Sequence, residues 1–127
     1  MKIFLLLHII ATLFLCGCNA LYTADEVKEF IPGTYIRFSQ HEYGTEYDTL
    51  VISLQNKSAG EYSILRKWKY ERILDGKPVE PEYKRTTTSG IYDINQKLLT
   101  ETQSGDLFSF DSEQNLLFVG SSKYRKI

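Results

Sequence analysis

The sequence predicts an all-β fold: an antiparallel meander of about eight or nine strands forming a small barrel or rolled sheet, preceded by a short N-terminal helix. Two observations carry that expectation. From Gly33 onward the helical period disappears, and Leu50, Ile52 and Leu54 alternate with Thr49, Val51 and Ser53 in a clear period of two. Short strand-like runs then follow at near-regular spacing, broken by pairs such as Ser89-Gly90, Asn95-Gln96, Ser104-Gly105 and Gly120-Ser121. Short strands joined by tight turns favour an antiparallel sheet that closes on itself.

The chain opens with Met1-Lys2 and a run from Ile3 to Leu15 that is apolar except at His8 and Thr12. Such a run is too short to span a bilayer comfortably, which takes about 20 apolar residues. Its charged start and the small residue before a cysteine suit a cleaved signal segment. The residues Leu15-Cys16-Gly17-Cys18 resemble the lipobox of bacterial lipoproteins, with an aliphatic residue three before the cysteine and a glycine just before it. The resemblance implies lipidation of Cys18 through a diacylglyceryl thioether, cleavage before it, and usually a third acyl chain, such as palmitate, on the new amino terminus. Cys16 fits less well, because it places the bulky Leu15 where the lipobox keeps Gly, Ala or Ser. The competing readings are an ordinary signal peptide or an uncleaved amphipathic end. Each buried methylene adds about 0.8 kcal/mol, so two or three chains hold far more firmly than one.

The expected organisation is therefore a signal peptide over residues 1–17, a tether over 18–24 and a single β-rich domain over 25–127. With Cys16 removed and Cys18 acylated, neither of the two cysteines is left for disulfide, metal or catalytic chemistry, and stability rests on the core. The net charge is −1, and loss of Lys2 takes it to −2, which argues against nucleic acid as a partner.

Thr23 to Glu26 matches a capping box, with Thr23 as N-cap and Glu26 at the third helical position. Val27, Phe30 and Ile31 fall on one side of the brief helix that follows, and Pro32-Gly33 ends it. Strands are expected at Thr34–Ser39, Asp48–Gln55 and Glu61–Leu74, with His41–Glu46 as a polar loop around Gly44. Asp75-Gly76 is a turn signal, and Pro78 and Pro81 are expected to keep the next connection out of the sheet. Further strands are expected at Tyr83–Thr88, Ile91–Ile94, Leu98–Glu101, Leu107–Phe110, Leu116–Val119 and Lys123–Arg125. The Gly33-Thr34-Tyr35 start resembles the Gly-x-Trp opening of lipocalin-like barrels, with Tyr in place of Trp, and that resemblance implies only an architecture.

The long strand carries the candidate binding residues. Counted by twos, one face holds Tyr62, Ile64, Arg66, Trp68, Tyr70, Arg72 and Leu74, and the other holds Glu61, Ser63, Leu65, Lys67, Lys69, Glu71 and Ile73. Residues 66–85 contain seven Lys or Arg against four Asp or Glu, whereas 25–48 contain two against six. Arg66, Trp68, Tyr70 and Arg72, with the nearby Lys84 and Arg85, suit an anionic partner, and Trp, Tyr and Arg are enriched at interface hot spots. The bland alternative is a bulge that turns the aromatics into the core and lets the bases snorkel into solvent.

Other chemistry finds little support. His41, Glu42, Glu46 and Asp48 flank a loop glycine without a recognisable metal-ligand spacing. His41 is the one histidine left after cleavage, and no Gly-framed serine accompanies it, so a Ser-His-Asp constellation is not expected. We therefore expect no metal, no cofactor and no catalysis. Asn56-Lys57-Ser58 and Asp48-Thr49-Leu50 match glycosylation patterns, but each reads more simply as a turn and a strand.

The runs from Trp68 to Pro78 and from Tyr83 to Thr88 resemble small lipoproteins of Bacteroidetes, some carried by conjugative elements. That resemblance implies a cell-envelope accessory protein without assigning an activity. The leading expectation is a lipid-anchored, non-catalytic binding or assembly protein that engages an anionic envelope protein or glycan, a conjugation accessory among the options. It would sit in the outer membrane and face the periplasm, with the cell surface as the other option. The alternative is a calycin-like carrier of a small apolar or amphipathic ligand.

Overall fold

The computed structural model describes residues 23–127. The lipobox, the signal segment and most of the tether lie outside the described residues. Helix α1 spans Thr23–Phe30, so the last two residues assigned to the tether belong to the helix. Nine strands follow: β1 (Gly33–His41), β2 (Gly44–Asn56), β3 (Glu61–Leu74), β4 (Lys77–Pro78), β5 (Glu82–Asp93), β6 (Leu98–Glu101), β7 (Leu107–Asp111), β8 (Leu116–Val119) and β9 (Ser122–Lys126). Eight of them form a closed antiparallel barrel, and β4 is an extra strand on the edge of β3. Closure is by β1 against β9, where Tyr35 faces Lys126 and Ile36 faces Arg125.

The barrel interior is packed at the helix end. Tyr35, Leu50, Ile52, Tyr62, Ile64, Leu99, Phe108 and Leu117 are buried there, and Ile31 plugs the base beneath them. Leu50, Ile52, Leu54, Phe108, Phe110 and Phe118 are the apolar residues expected to fill the barrel. Leu50, Ile52 and Phe108 are buried, and Phe110 packs partly against the core. Phe118 is half-buried outside it, because in β8 Leu117 takes the inward position. Leu54 is exposed instead, because it lies next to the register shift at the end of β2. Tyr35 occupies the position matched to the lipocalin Trp. Its hydroxyl lies 2.9 Å from both the Phe30 and Ile31 carbonyls, so it donates to the open C-terminal end of α1. Lys126 donates to the Phe30 carbonyl from the other side, where a cation also suits the helix dipole. Burial lowers the pKa of that lysine.

Three expected boundaries are corrected. His41–Glu46 is a tight hairpin rather than a loop, since β1 and β2 pair continuously up to His41 opposite Gly44. The segment is polar because it has left the core: His41, Glu42 and Tyr43 are exposed and Thr45 and Glu46 half-buried, which erases the apolar alternation that marks a half-buried strand. At Gly44 a Cβ would run into the Glu71 carbonyl and the Tyr70 ring, so the glycine serves close approach. Ser89-Gly90 does not break a strand: β5 runs through it, and Gly90 is buried where a side chain would press on Leu99 and Ile64. Pro78 is in the sheet after all, opposite Ile73 in the short β4. Asp75 and Gly76 both have positive φ, as the type I′ turn of that hairpin requires.

Strand lengths differ sharply around the barrel. β2, β3 and β5 have 13, 14 and 12 residues, whereas β6 to β9 have four or five each. β9 meets β1 only at Tyr35 and Ile36, and β6 meets β5 only from Gly90 to Asp93. The far halves of β1, β2, β3 and β5 therefore continue beyond the barrel as a four-stranded arm. From Gly33 to the β1–β2 hairpin is eight residues, about 26 Å at the usual strand rise.

Candidate functional site

The register of the four long strands sorts the side chains of the arm into rows. Tyr35, Leu50, Arg66 and Thr86 form one row, followed by Arg37, Asp48, Trp68 and Lys84, then Ser39, Glu46, Tyr70 and Glu82. These rows continue the inward face of the barrel. The rows between them turn outward: Ile36, Thr49, Lys67 and Arg85, then Phe38, Tyr47, Lys69 and Tyr83.

No bulge interrupts β3 between Glu61 and Leu74, apart from the shift at the β2 end. The expected face from Tyr62 to Leu74 is therefore continuous. Its first members, Tyr62 and Ile64, are core residues. Arg66, Trp68, Tyr70 and Lys84 lie together on the concave side of the arm, with Arg72 beyond them at the tip. Arg85 does not join them; it lies on the convex side beside Lys67.

At the foot of the concave face Asp48 is 1% exposed and fully engaged. Arg66 donates to it from Nε at 3.0 Å and from Nη2 at 2.6 Å, and the Tyr124 hydroxyl donates at 2.8 Å. Three acceptor contacts on one carboxylate satisfy a buried charge that water cannot reach. The hydrogen bond to Asp48 raises the Arg66 pKa, so this cation is permanent. Burial, and then the bond to Asp48, raise that of Tyr124. Half of the Arg66 side chain remains exposed, facing a cavity of about 170 Å³ that it shares with Trp68, Lys84 and Thr86. Trp68 donates from Nε1 to Glu46 at 2.9 Å and carries Lys84 over its ring at 5.2 Å. Tyr70 stacks on Trp68 at 5.7 Å and on His41 at 6.1 Å. Arg72 pairs with Glu82 at 3.3 Å.

The convex face is a second surface that the grouping of candidate residues by sequence did not include. Lys69 stands between the rings of Tyr47 and Tyr83, at 5.3 and 6.0 Å, and pairs with Glu71 at 2.7 Å. Tyr83 is 70% exposed and Phe38 60%. A broad depression of about 560 Å³ runs over this side, with Tyr47, Thr49, Lys67, Lys69, Tyr83 and Arg85 among its walls. Counting by twos already placed Lys67 and Lys69 together; the missing signal was the pairing of Lys67 with Arg85 across strands.

The acid–base candidates are dispersed. Asp48 is consumed by Arg66 and Tyr124, Glu46 holds the Trp68 indole, and His41 stacks at the hairpin. Among the described residues, no three His, Cys, Asp or Glu side chains converge on a point that could hold a metal ion. The arrangement is suited to holding an anion or an acidic surface, with cations fixed by aromatic rings and one buried carboxylate.

Compared with known protein families, curated proteins and solved structures, the chain matches none of them.

Proposed function

We propose that this chain is a lipid-anchored, non-catalytic binding or assembly protein of the cell envelope, which engages an anionic macromolecular partner through the arm. One observation carries the reading. Four strands extend well past what barrel closure uses, and the extension carries Arg66 and Lys84 on one face and Lys67, Lys69 and Arg85 on the other. Exposed aromatics grouped with cations on an extended sheet are the residue types that dominate protein interfaces.

Acylation of Cys18 gives the arm a direction. Helix α1 starts at Thr23, so four residues separate it from the acylated cysteine, a span of at most about 18 Å. The plugged end then faces the membrane, and the arm points away from it. On the inner face of an outer membrane, that is toward the periplasm and its machinery, a setting that suits a conjugation accessory.

The test has two parts. Cys18→Ala should move the protein from the membrane to the soluble fraction. A photo-crosslinker at position 83, on the exposed side of the arm, should capture one partner from the envelope of living cells. Capture should fall at least about tenfold when Lys84 and Arg85 are both changed to Ala. Capture that is unaffected by the double change removes the basis of the proposal.

A carrier role has one supporting observation. A cavity of about 220 Å³ opens at the barrel mouth between Leu50, Ile64, Phe108 and Tyr124. That is below the usual range of about 300–1,000 Å³ for drug-sized ligands, so it suits a smaller molecule.

A further inference from the structure

The outer edge of the arm is a strand edge with its backbone groups turned outward. β6 covers β5 only from Gly90 to Asp93, and among the described residues no strand lies beside Glu82–Thr88. The direction of each backbone group follows from the hydrogen bonds below. Tyr92 donates to Gly60, on the β3 side, and Thr102 donates to the carbonyl of Ser89, on the β6 side. Alternation along an antiparallel strand then turns Tyr83, Arg85 and Thr87 toward the open side. Among the described residues, no strand pairs with their N–H and C=O groups.

Edges of this length are ordinarily blunted by proline, a bulge, shortening or charged side chains, lysine above all, and charge repels a like-charged edge while leaving an acidic one free to pair. Here the register against β3 is unbroken from Glu61 to Tyr70, and the open stretch has no proline. What it has is charge: Lys84 on the concave side and Arg85 on the convex side, backed by Arg66 and Lys67 one strand away.

We propose that Glu82–Thr88 is a strand-addition site for an extended, acidic segment of a protein partner. This deepens the proposed function and rests on it. The segment would pair its backbone with Tyr83, Arg85 and Thr87. Two successive carboxylates would fall on the two sides of the sheet, next to Lys84 on one and Arg85 on the other. Backbone pairing gives affinity in this mode, and the alternating side chains give specificity. A second copy of the chain fits the edge poorly. In a two-fold pairing centred on residue 85, Arg85 opposes Arg85, and centred one residue earlier, Lys84 opposes Lys84, which is repulsive. A pairing centred on Thr86 avoids that clash but leaves both cations facing threonines, without the carboxylate that an acidic segment supplies.

The experiment uses the full chain in detergent, with a heptapeptide that carries two adjacent glutamates, one for each face, among valines and threonines as probe. A lysine–valine peptide, a sulfated oligosaccharide and anionic vesicles are the comparisons. Amide exchange should slow at least about tenfold at Tyr83, Arg85 and Thr87 when the acidic peptide is added, because those amides become bonded. Thr87→Pro removes one outward N–H without taking a bond from β3, and it should weaken the peptide at least about tenfold.

Other outcomes separate the two proposals. If the acidic peptide depends on Lys84 and Arg85 but the three amides are unprotected and Thr87→Pro binds normally, strand addition is wrong while the anionic-partner reading stands. The same holds if the oligosaccharide or vesicles bind and the acidic peptide does not. If none of the anionic probes exceeds the lysine peptide, both fail. Protection of the three amides by self-association alone would make the occupant a second copy and overturn the acidic segment.

Discussion

Asp48 and Arg66 sit diagonally across β2 and β3, and their 2.6 Å ion pair lies where the filled barrel gives way to the open arm. The carboxylate is buried and the guanidinium is half in water. That asymmetry makes the two partners unequal.

Removing the cation should cost more than removing the anion. Arg66→Met strands the buried carboxylate with Tyr124 alone and should cost about 3 kcal/mol. Asp48→Ala lets Arg66 turn to solvent and should cost about 1–2 kcal/mol. The double variant should be more stable than Arg66→Met. Urea denaturation of the three proteins checks the order; additive losses would mean that the pair is not coupled.

Three buried tyrosines offer a contrast. Tyr35 and Tyr124 donate to the helix end and to Asp48, so Phe at either position should cost about 1 kcal/mol. The hydroxyl of Tyr92 is buried without a partner among the described residues. Tyr92→Phe should therefore be neutral or stabilising by thermal denaturation, and a loss equal to that of Tyr35→Phe would contradict this account.

Alkaline pH should unfold the barrel through the same rings. Burial raises the pKa of Tyr35 and Tyr124 above the ordinary 10.0. A group whose folded pKa is raised gives stability that is complete below its unfolded value and lost as pH rises through the folded one. Stability should thus be flat up to about pH 9 as far as these groups act, and fall above pH 10. Ultraviolet titration should show Tyr35 and Tyr124 ionising only with the loss of near-ultraviolet dichroism.

Gly90 should resist enlargement. Its Cα faces Leu99 and Ile64 inside the barrel, and Gly90→Val should cost about 1–3 kcal/mol through overpacking. Calorimetry that finds no loss would mean that β5 can shift there.

The residues that made the fold legible were those with one wet face and one dry face. Leu50, Ile52 and the turn pairs disclosed strands and a closing meander, and Asp75-Gly76 disclosed its hairpin. Legibility failed where that contrast vanished. His41–Glu46 lies outside the core and reads as a loop; Gly90 is dry and reads as a break. The candidate surface was legible up to one strand. Alternation placed Arg66, Trp68 and Tyr70 together, but it could not show that Asp48 clamps Arg66, that Arg85 turns away from Lys84, or that β5 has an open side. Those facts depend on which residues face one another across strands, and periodicity within one strand does not encode that.

The two-pair seam between β1 and β9 has a consequence for how the barrel assembles. Its partners, Tyr35 with Lys126 and Ile36 with Arg125, lie roughly ninety residues apart, and closing so long a loop carries a large entropic cost. The hairpins of β1, β2 and β3 are local and extensively paired, so they form before the chain's end can return. Folding should be sequential, with the seam closing last and opening first, and pulsed hydrogen exchange should find the Ile127 amide, which bonds Thr34, among the last protected. The strands of the arm would then be in place, with their cations displayed, before the barrel is shut.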